Sequence, residues 1–400
     1  MLPKTYHASE HDIDSTLVDP DATQIIKKLR EAGYSAYLVG GSVRDLLIKK
    51  IPKDFDISTS AKPEQIKQLF NRNCLLIGRR FRLAHIRFGR KVFEVSTFRT
   101  GENASDLIVQ DNVWGTEEED VLRRDFTING LFYDPSSHTV IDYVGGWDDI
   151  HLGILKTIGE PEARFKQDPV RMLRLLKFRA RFGFNIDPKA KKALLNCREE
   201  IHKSSPARIL EELFRMLESG ASAPFFNLMN ESGFLHLLLP SLSKELNGKN
   251  GKEIYLLLAS ADKLQSIKGR HPLDRGILTA CLLYPLFSRQ ITRYLEENGA
   301  PPHLGEITIM AASTVKSFVT AAFTHFPRRI SATATFILAN QYRLTPLSNK
   351  RHSRGKILHH REFELAVIFL KLRSQIDNHL NESYQFWTHT LKNRRHRDES

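Results

Sequence analysis

Cysteine is nearly missing from this chain: Cys74, Cys197 and Cys281 are the only 3 in 400 residues, and they lie far apart. That excludes a disulfide framework and a cysteine-rich zinc module, and it suits a reducing compartment. Long apolar runs are missing as well. Stretches such as 277–287 are too short and too interrupted to span a bilayer. The opening MLPKTYHASEHDID lacks the apolar core of a signal peptide, so a soluble cytoplasmic protein without a membrane span is expected. There is no internal repeat and no low-complexity tract. Acidic charge is in deficit: 59 Lys and Arg against 46 Asp and Glu leave a formal net charge of +13. An anionic partner is implied, although net charge alone cannot name it. What is present, 41% hydrophobic and 26% charged residues over 400 positions, excludes wholesale disorder and suffices for two or three packed domains.

The excess positive charge is uneven. Residues 1–70 carry 10 bases and 10 acids, whereas 71–99 carry eight bases and one acid, Glu94. Residues 101–150 reverse this, with twelve acids against Arg123 and Arg124. Residues 160–182 and the last sixty are basic again. The alternation suggests a cation-binding region beside polyanion-binding surfaces; ordinary solvated faces are the alternative.

Periodicity divides the chain in two. From about 34 to 145, β-type runs such as Ala36–Val39, Phe55–Ile57, His85–Phe88 and Val92–Val95 alternate with helical patterns near 42–49 and 63–70, after a first helix at 21–32. After about 160, leucine-rich helical periodicity takes over, with helices expected at 168–182, 188–199, 206–219, 222–230, 253–264, 274–284, 308–324, 330–343 and 361–380. The tail at 393–397 is expected to fray. The fold class is therefore α+β: a small mixed β-sheet with flanking helices, followed by an all-helical region.

Four motifs carry chemistry. In LVGGSVRD (38–45) an apolar strand ends in Gly40 and Gly41 and a helix begins. Glycines let backbone approach a phosphate, and free N–H groups at a helix start point at it; Ser42 and Arg44 add donors. An ordinary strand-to-helix turn is the alternative. In KDFDI (53–57), side chains at i and i+2 of a strand share a face, so Asp54 and Asp56 point together while Phe55 and Ile57 enter the core. Paired carboxylates repel unless a cation sits between them, and Mg²⁺ accepts such carboxylates together with phosphate oxygens. Glu94, alone in a basic stretch and within an apolar β run, is the candidate third ligand; a salt bridge to a nearby arginine is the alternative. The third motif, DVLRRDFTING (120–130), places a charged triplet before an alternating apolar segment. The fourth, RFKQDPVRMLR (164–174), makes Asp168 a helix N-cap ahead of Pro169, with Arg171 one turn on. A carboxylate accepting from a base amino group and a guanidinium donating to a ring nitrogen select adenine or cytosine over guanine or uracil. A cap with a local salt bridge is the alternative.

In this order, LVGGSVRDLL, KDFDIST, EVSTFR, RRDFTINGLFYD, IDYVGGWDDI and GEPEARFKQDPVRMLRLLKFRARFGF resemble the family of class II tRNA nucleotidyltransferases and bacterial poly(A) polymerases. The resemblance implies a nucleotidyltransferase head over 1–155, a helical neck for base recognition over 156–235, and a helical body with a C-terminal RNA-binding region over 236–400. It implies Asp54 and Asp56 as metal ligands, with Glu94 beside them, in a two-metal Mg²⁺ site. Gly40, Gly41, Ser42 and Arg44 would hold the triphosphate. Arg123, Arg124, Asp125 and Asn129 match the ribose- and phosphate-contacting motif, Asp168 and Arg171 the base-reading pair, and Arg174 a phosphate contact. LIGRRFRLAHI (76–86) resembles a signature of the bacterial poly(A) polymerase branch, which adds Arg79, Arg80 and Arg82 as RNA contacts. That branch implies AMP addition from ATP to RNA 3′ ends, with CCA addition to tRNA as the other reading, and partners in RNA-degradation machinery and an RNA chaperone. Gln167 departs from the family's usual Glu, which puts the orientation of Arg171 in question.

Overall fold

The computed structural model describes residues 2–78, 83–100, 113–248, 251–267, 272–322, 326–346 and 355–398. The RNA-contact candidates Arg79, Arg80 and Arg82 lie outside them. Two compact units are present: residues 1–175 with 183–200, and residues 176–182 with 201–400.

The first unit contains an eight-stranded sheet. Its strands are β1 (Lys4–Tyr6), β2 (Ala36–Val39), β3 (Asp56–Thr59), β4 (Cys74–Ile77), β5 (Leu83–Phe88), β6 (Lys91–Thr97), β7 (Leu131–Asp134) and β8 (Thr139–Asp142). Their order is β1-β8-β7-β2-β3-β6-β5-β4, and every neighbouring pair is antiparallel except β3 with β6. The helices of this unit are α1 (Pro20–Glu31), α2 (Gly41–Leu47), α3 (Pro63–Phe70), α4 (Glu117–Leu122), α5 (Gly146–Leu152), α6 (Pro161–Gln167), the start of α7 (Val170–Phe182) and α8 (Pro188–Asn196). Asp19 caps α1, its side chain accepting the Asp21 N–H, and Pro20 follows at the first helical position. Val39, Phe98, Val121, Phe132 and Ile158 form a buried cluster beneath one sheet face.

The mixed sheet with flanking helices agrees with the sequence reading. β3 is a correction. It begins at Asp56, so Asp54 sits in the preceding loop and Phe55 is only half-buried. The reason is register: Asp56 pairs with Val39, the last residue of β2, beyond which Gly40 turns away with φ 68°. The ladder has no partner for Asp54.

The second unit is helical: α9 (Pro206–Leu217), α10 (Ser222–Glu231), α11 (Phe234–Leu238), α12 (Pro240–Leu246), α13 (Gly251–Gln265), α14 (Arg275–Asn298), α15 (Leu304–Ala322), α16 (Arg328–Leu344), α17 (Gly355–Leu358), α18 (Phe363–Ser374) and α19 (Asn381–Asp398). α14 runs on through Pro285, where the sequence reading stops at 284. Residues 276–285 and Phe287 are buried, and that packing offsets the missing hydrogen bond at the proline. The tail at 393–397, expected to fray, is helical within α19. Trp387 anchors that helix: it is buried with Leu344, Phe363 and Leu370, and its Nε1 donates to the Leu344 carbonyl at 3.0 Å. The three cysteines are free and buried. Among the described residues no helix is long and apolar enough to cross a membrane.

Candidate active site

Register assembles the carboxylates. Val39 lies opposite Asp56 across the antiparallel β2–β3 pair, so the Gly40–Gly41 turn leaves the sheet beside Asp56. On the other side β3 runs parallel to β6 with Ile57 opposite Val95, which sets Asp56 next to Glu94 on one face. Ser58 follows on that face, and its hydroxyl contacts Ser96 Oγ at 3.0 Å. The two-residue alternation thus joins Asp56 to Ser58, while Asp54 approaches from the loop.

These carboxylates strain against one another. The Asp56 pKa is raised to about 6: crowding of the carboxyl by protein atoms is the main cause, followed by the charges of Glu94 and Asp54, with Arg124 partly opposing them. Glu94 is half-exposed and faces His85 across the β5–β6 pair, Oε1 to Nε2 3.6 Å, rather than an arginine. Among the described residues no group of three or more His, Cys, Asp or Glu is gathered closely enough to form a complete cation cage. Mg²⁺ does not need one, because it binds one or two carboxylates and fills its shell with water and phosphate oxygens. An all-oxygen donor set whose mutual repulsion raises a pKa fits that ion.

The glycine turn is built for close approach. A Cβ at Gly40 would stand 3.1 Å from Arg124 Nη1, and its φ of 68° with ψ −122° suits glycine alone. Ser42 is buried, and its hydroxyl donates back to the Val39 carbonyl at 3.1 Å, locking the turn. Arg44 is also buried. Its Nε and Nη2 reach Asp45 Oδ1 at 2.9 and 2.7 Å, and its Nη1 reaches Asn129 Oδ1 at 2.5 Å.

From Asn129 the network continues. Its Nδ2 donates to Asp125 Oδ1 at 3.0 Å, and Asp125 Oδ2 accepts from Arg174 Nε at 2.7 Å. A hydrogen-bonded chain therefore runs Asp45–Arg44–Asn129–Asp125–Arg174, from the glycine turn to α7. Burial alone would raise the Asp125 pKa. The Arg174 charge, the Asn129 amide, the Phe126 N–H and Arg171 outweigh it and hold the carboxyl at about 2. Arg174, expected at a phosphate, is thus engaged with Asp125.

Asp120 organises the two neighbouring arginines. It is 1% exposed and accepts from Arg123 Nε at 3.0 Å and from Arg124 Nη2 at 2.8 Å. Arg124 also donates to Ser58 Oγ at 3.3 Å and lies over the Phe132 ring, which brings its charge toward Asp56. Arg164 Nη2 binds the carbonyls of Arg123 and Arg124, each at 2.8 Å, and so ties α6 to this segment. Asp45, Asp120 and Arg164 lie within the quoted motifs but received no role from sequence. The signal for Asp120 was its spacing of four from Arg124 on one helical turn.

Asp168 follows the end of α6 at Gln167, and its carbonyl accepts the Arg171 N–H at 3.0 Å ahead of Pro169, where α7 is entered. Gln167 accepts from Arg164 Nη1 at 3.2 Å, whereas Arg171 Nη2 donates to the Arg123 carbonyl at 3.2 Å. The unusual glutamine therefore steadies Arg164. Arg171 is buried, and its Nη1 has no hydrogen-bond partner among the described residues. A buried guanidinium nitrogen left unmatched is costly unless a ligand completes it. Two further acids of 113–150 serve in caps and turns: Glu119 forms a capping box with Thr116, and Asp142 accepts the N–H groups of 144–147.

The profile of the Poly A polymerase head domain matches residues 36–156, that of the probable RNA and SrmB-binding site of polymerase A matches 183–246, and that of the polymerase A arginine-rich C-terminus matches 309–400. Poly(A) polymerase I of Salmonella typhimurium is 34% identical over 405 residues, covering 97% of this chain and 84% of its own. A CCA-adding enzyme of Lactobacillus johnsonii is 34% identical over 239 residues, 59% of this chain and 58% of its own. In fold, the chain is similar to the crystal structure of the Bacillus stearothermophilus CCA-adding enzyme in complex with CTP, with a TM-score of 0.63 and 23% identity over 92% of this chain and 83% of that one.

Proposed function

The chain belongs to the bacterial poly(A) polymerase I family and is a nucleotidyltransferase, and from that premise we propose that it adds AMP from ATP to RNA 3′ ends without a template, releasing pyrophosphate. The observation that carries this reading is coverage. Similarity to poly(A) polymerase I spans 97% of the chain and includes the arginine-rich C-terminus, whereas similarity to the CCA-adding relative spans 59%.

In this reading Asp54 and Asp56, with Glu94 beside them, hold Mg²⁺, which supplies Lewis-acid charge to the attacking 3′-hydroxyl and to the phosphates. The chain's own groups do the rest. Gly40 and Gly41 admit the triphosphate against backbone, a turn that the Ser42 hydroxyl keeps closed. Arg124 and Arg123, fixed by Asp120, offer charge to phosphate and ribose oxygens. Arg44, Asn129, Asp125 and Arg174 transmit the position of that turn to α7. Asp168 and Arg171 read the base edge, with Arg171 Nη1 as the donor awaiting a ring nitrogen. Arg79, Arg80 and Arg82 belong to the RNA path. We assign residues 1–155 to the head, 156–235 to the neck, and 236–400 to the body and RNA-binding region. A cytoplasmic setting belongs to this reading, as do partners in RNA-degradation machinery and an RNA chaperone; the match of 183–246 to a probable RNA and SrmB-binding site supports RNA as a partner.

CCA addition is the second reading, favoured by the CCA-adding relative and by the fold similarity. The test is incubation with Mg²⁺, a non-tRNA RNA and each nucleoside triphosphate separately. Long tails with ATP alone are expected. Addition confined to tRNA and halting after CCA overturns the AMP reading. Asp168→Ala should relax the ATP/GTP preference, and an unchanged ratio removes Asp168 from base reading.

A further inference from the structure

α4 ends at Leu122, and the next two residues are the arginines that the proposed reading sets against ribose and phosphate oxygens. Carbonyls at a helix end have no partner within the helix and carry partial negative charge. Here one side chain collects three in a row. Arg164 Nη2 lies 3.4 Å from the Leu122 carbonyl and 2.8 Å from each of the Arg123 and Arg124 carbonyls. Its Nη1 donates to Gln167 Oε1 at 3.2 Å, and Phe165 beside it is fully buried, so α6 gives the guanidinium a fixed base.

The Arg123 carbonyl has a second donor. Arg171 Nη2 reaches the same oxygen at 3.2 Å from the first turn of α7. Arg171 is 6% exposed, its backbone N–H returns to the Asp168 carbonyl at 3.0 Å, and its Nη1 is unmatched among the described residues. The guanidinium is therefore held at one nitrogen and offers another. Selection between bases depends on that hold. Opposite adenine the offered nitrogen meets a ring acceptor, whereas opposite guanine it meets a ring N–H. The second pairing is penalised only if the guanidinium cannot swing away. The oxygen that stops Arg171 from swinging is itself kept in place by Arg164. A simple cap on α4 would account for Arg164, but not for two guanidiniums from different helices on one carbonyl.

We propose that Arg164 is a positioning residue for nucleotide selection: it fixes the Arg123 carbonyl, and through that oxygen it fixes Arg171. The proposal rests on the reading of Asp168 and Arg171 as the base-contacting pair, and the experiment separates the two. It measures kcat and KM for ATP and GTP in turn on the full chain, with Mg²⁺ and an RNA primer. Arg164→Ala should lower the ATP/GTP ratio of kcat/KM about tenfold, the worth of one hydrogen bond to a charged group, with ATP use falling and GTP use holding or rising. Arg164→Lys keeps a cation at the helix end without the fork and should recover the ratio to within about threefold of wild type. Gln167→Ala, at the exposed end of α6, removes the Nη1 acceptor and should lower the ratio about threefold. Gln167→Glu keeps an acceptor oxygen there and should keep the ratio. Displacement of a fluorescent ATP analogue in Ca²⁺ reads the same preference without chemistry: Arg164→Ala should weaken ATP and not GTP. An unchanged ratio in Arg164→Ala overturns the proposal, as does equal weakening of ATP and GTP, the mark of a merely structural role. Should Arg164→Ala not fold, an unchanged ratio in Gln167→Ala overturns it instead. If Asp168→Ala shifts the ratio and Arg164→Ala does not, the role of Arg164 falls alone. If neither shifts it, the base-reading assignment falls as well.

Discussion

Asp56 and Asp125 are the same residue type, within one unit of the chain, pushed in opposite directions. Asp56 is crowded out of water and stands beside Glu94 and Asp54, and its pKa rises to about 6. Asp125 is held by Arg174, Asn129 and the Phe126 N–H, and its pKa falls to about 2. One carboxyl waits for a positive charge that the chain does not supply, and the other has received all it can use. In the proposed reading, the difference separates an aspartate that would meet the metal from one that would hold the site in place, a distinction that composition and motif order leave blank.

Substitutions can break or sharpen that contrast. The largest effect is expected at the unneutralised carboxylates. Asp56→Ala should lower AMP incorporation by about a thousandfold or more, ~4 kcal/mol of lost transition-state stabilisation, without lowering the melting temperature. Removing a carboxylate from a repelling group should, if anything, stabilise the apo fold. Asp125→Asn should show the opposite balance. It removes the charge partner of Arg174, so a loss of about 2 kcal/mol in urea unfolding is expected, less than the ~3–5 kcal/mol of a fully buried pair because Arg174 is partly solvated.

The pH dependence of Asp125 has a definite sign. Its folded pKa lies below the ordinary value near 3.9, so its stabilisation is complete above about pH 4 and is lost as pH falls toward 2. Acid unfolding of the wild type should therefore steepen over that window, and Asp125→Asn should be flatter there. Glu94→Gln comes next. A half-exposed carboxylate with His85 as its neighbour should matter less than Asp56, so a loss of about ten- to a hundredfold in incorporation is expected. The smallest change is expected from Gln167→Glu. Its side chain meets Arg164 and not Arg171, so nucleotide preference should stay unchanged in competition assays.

Much of this site was legible in the chain. The glycine pair and the Asp-Phe-Asp segment were found by local pattern and the arginine pair by resemblance to the family motif, and the sheet brings Gly40, Asp56, Glu94 and Arg124 together as adjacent features. The parts that were not legible depend on partners distant in sequence. β3 starts at Asp56 only because β2 ends at Val39, a limit set by pairing between strands and not by local alternation. Arg44 and Arg174 resemble solvent-facing phosphate donors in sequence, yet each is bound to a buried side chain, Asn129 or Asp125, that only the folded chain brings near. The helix through Pro285 follows the same rule: burial of 276–285 on both sides of the helix overrides the local break signal.

The most direct test of the contrast between the two aspartates is Mn²⁺ binding, followed by electron paramagnetic resonance on the full chain with a non-hydrolysable ATP analogue. Asp56→Asn should lose the bound-Mn²⁺ signal, and Asp125→Asn should retain it at near wild-type affinity. Equal retention in both variants, or loss in Asp125→Asn alone, would contradict the assignment of the cation to the strained carboxylates.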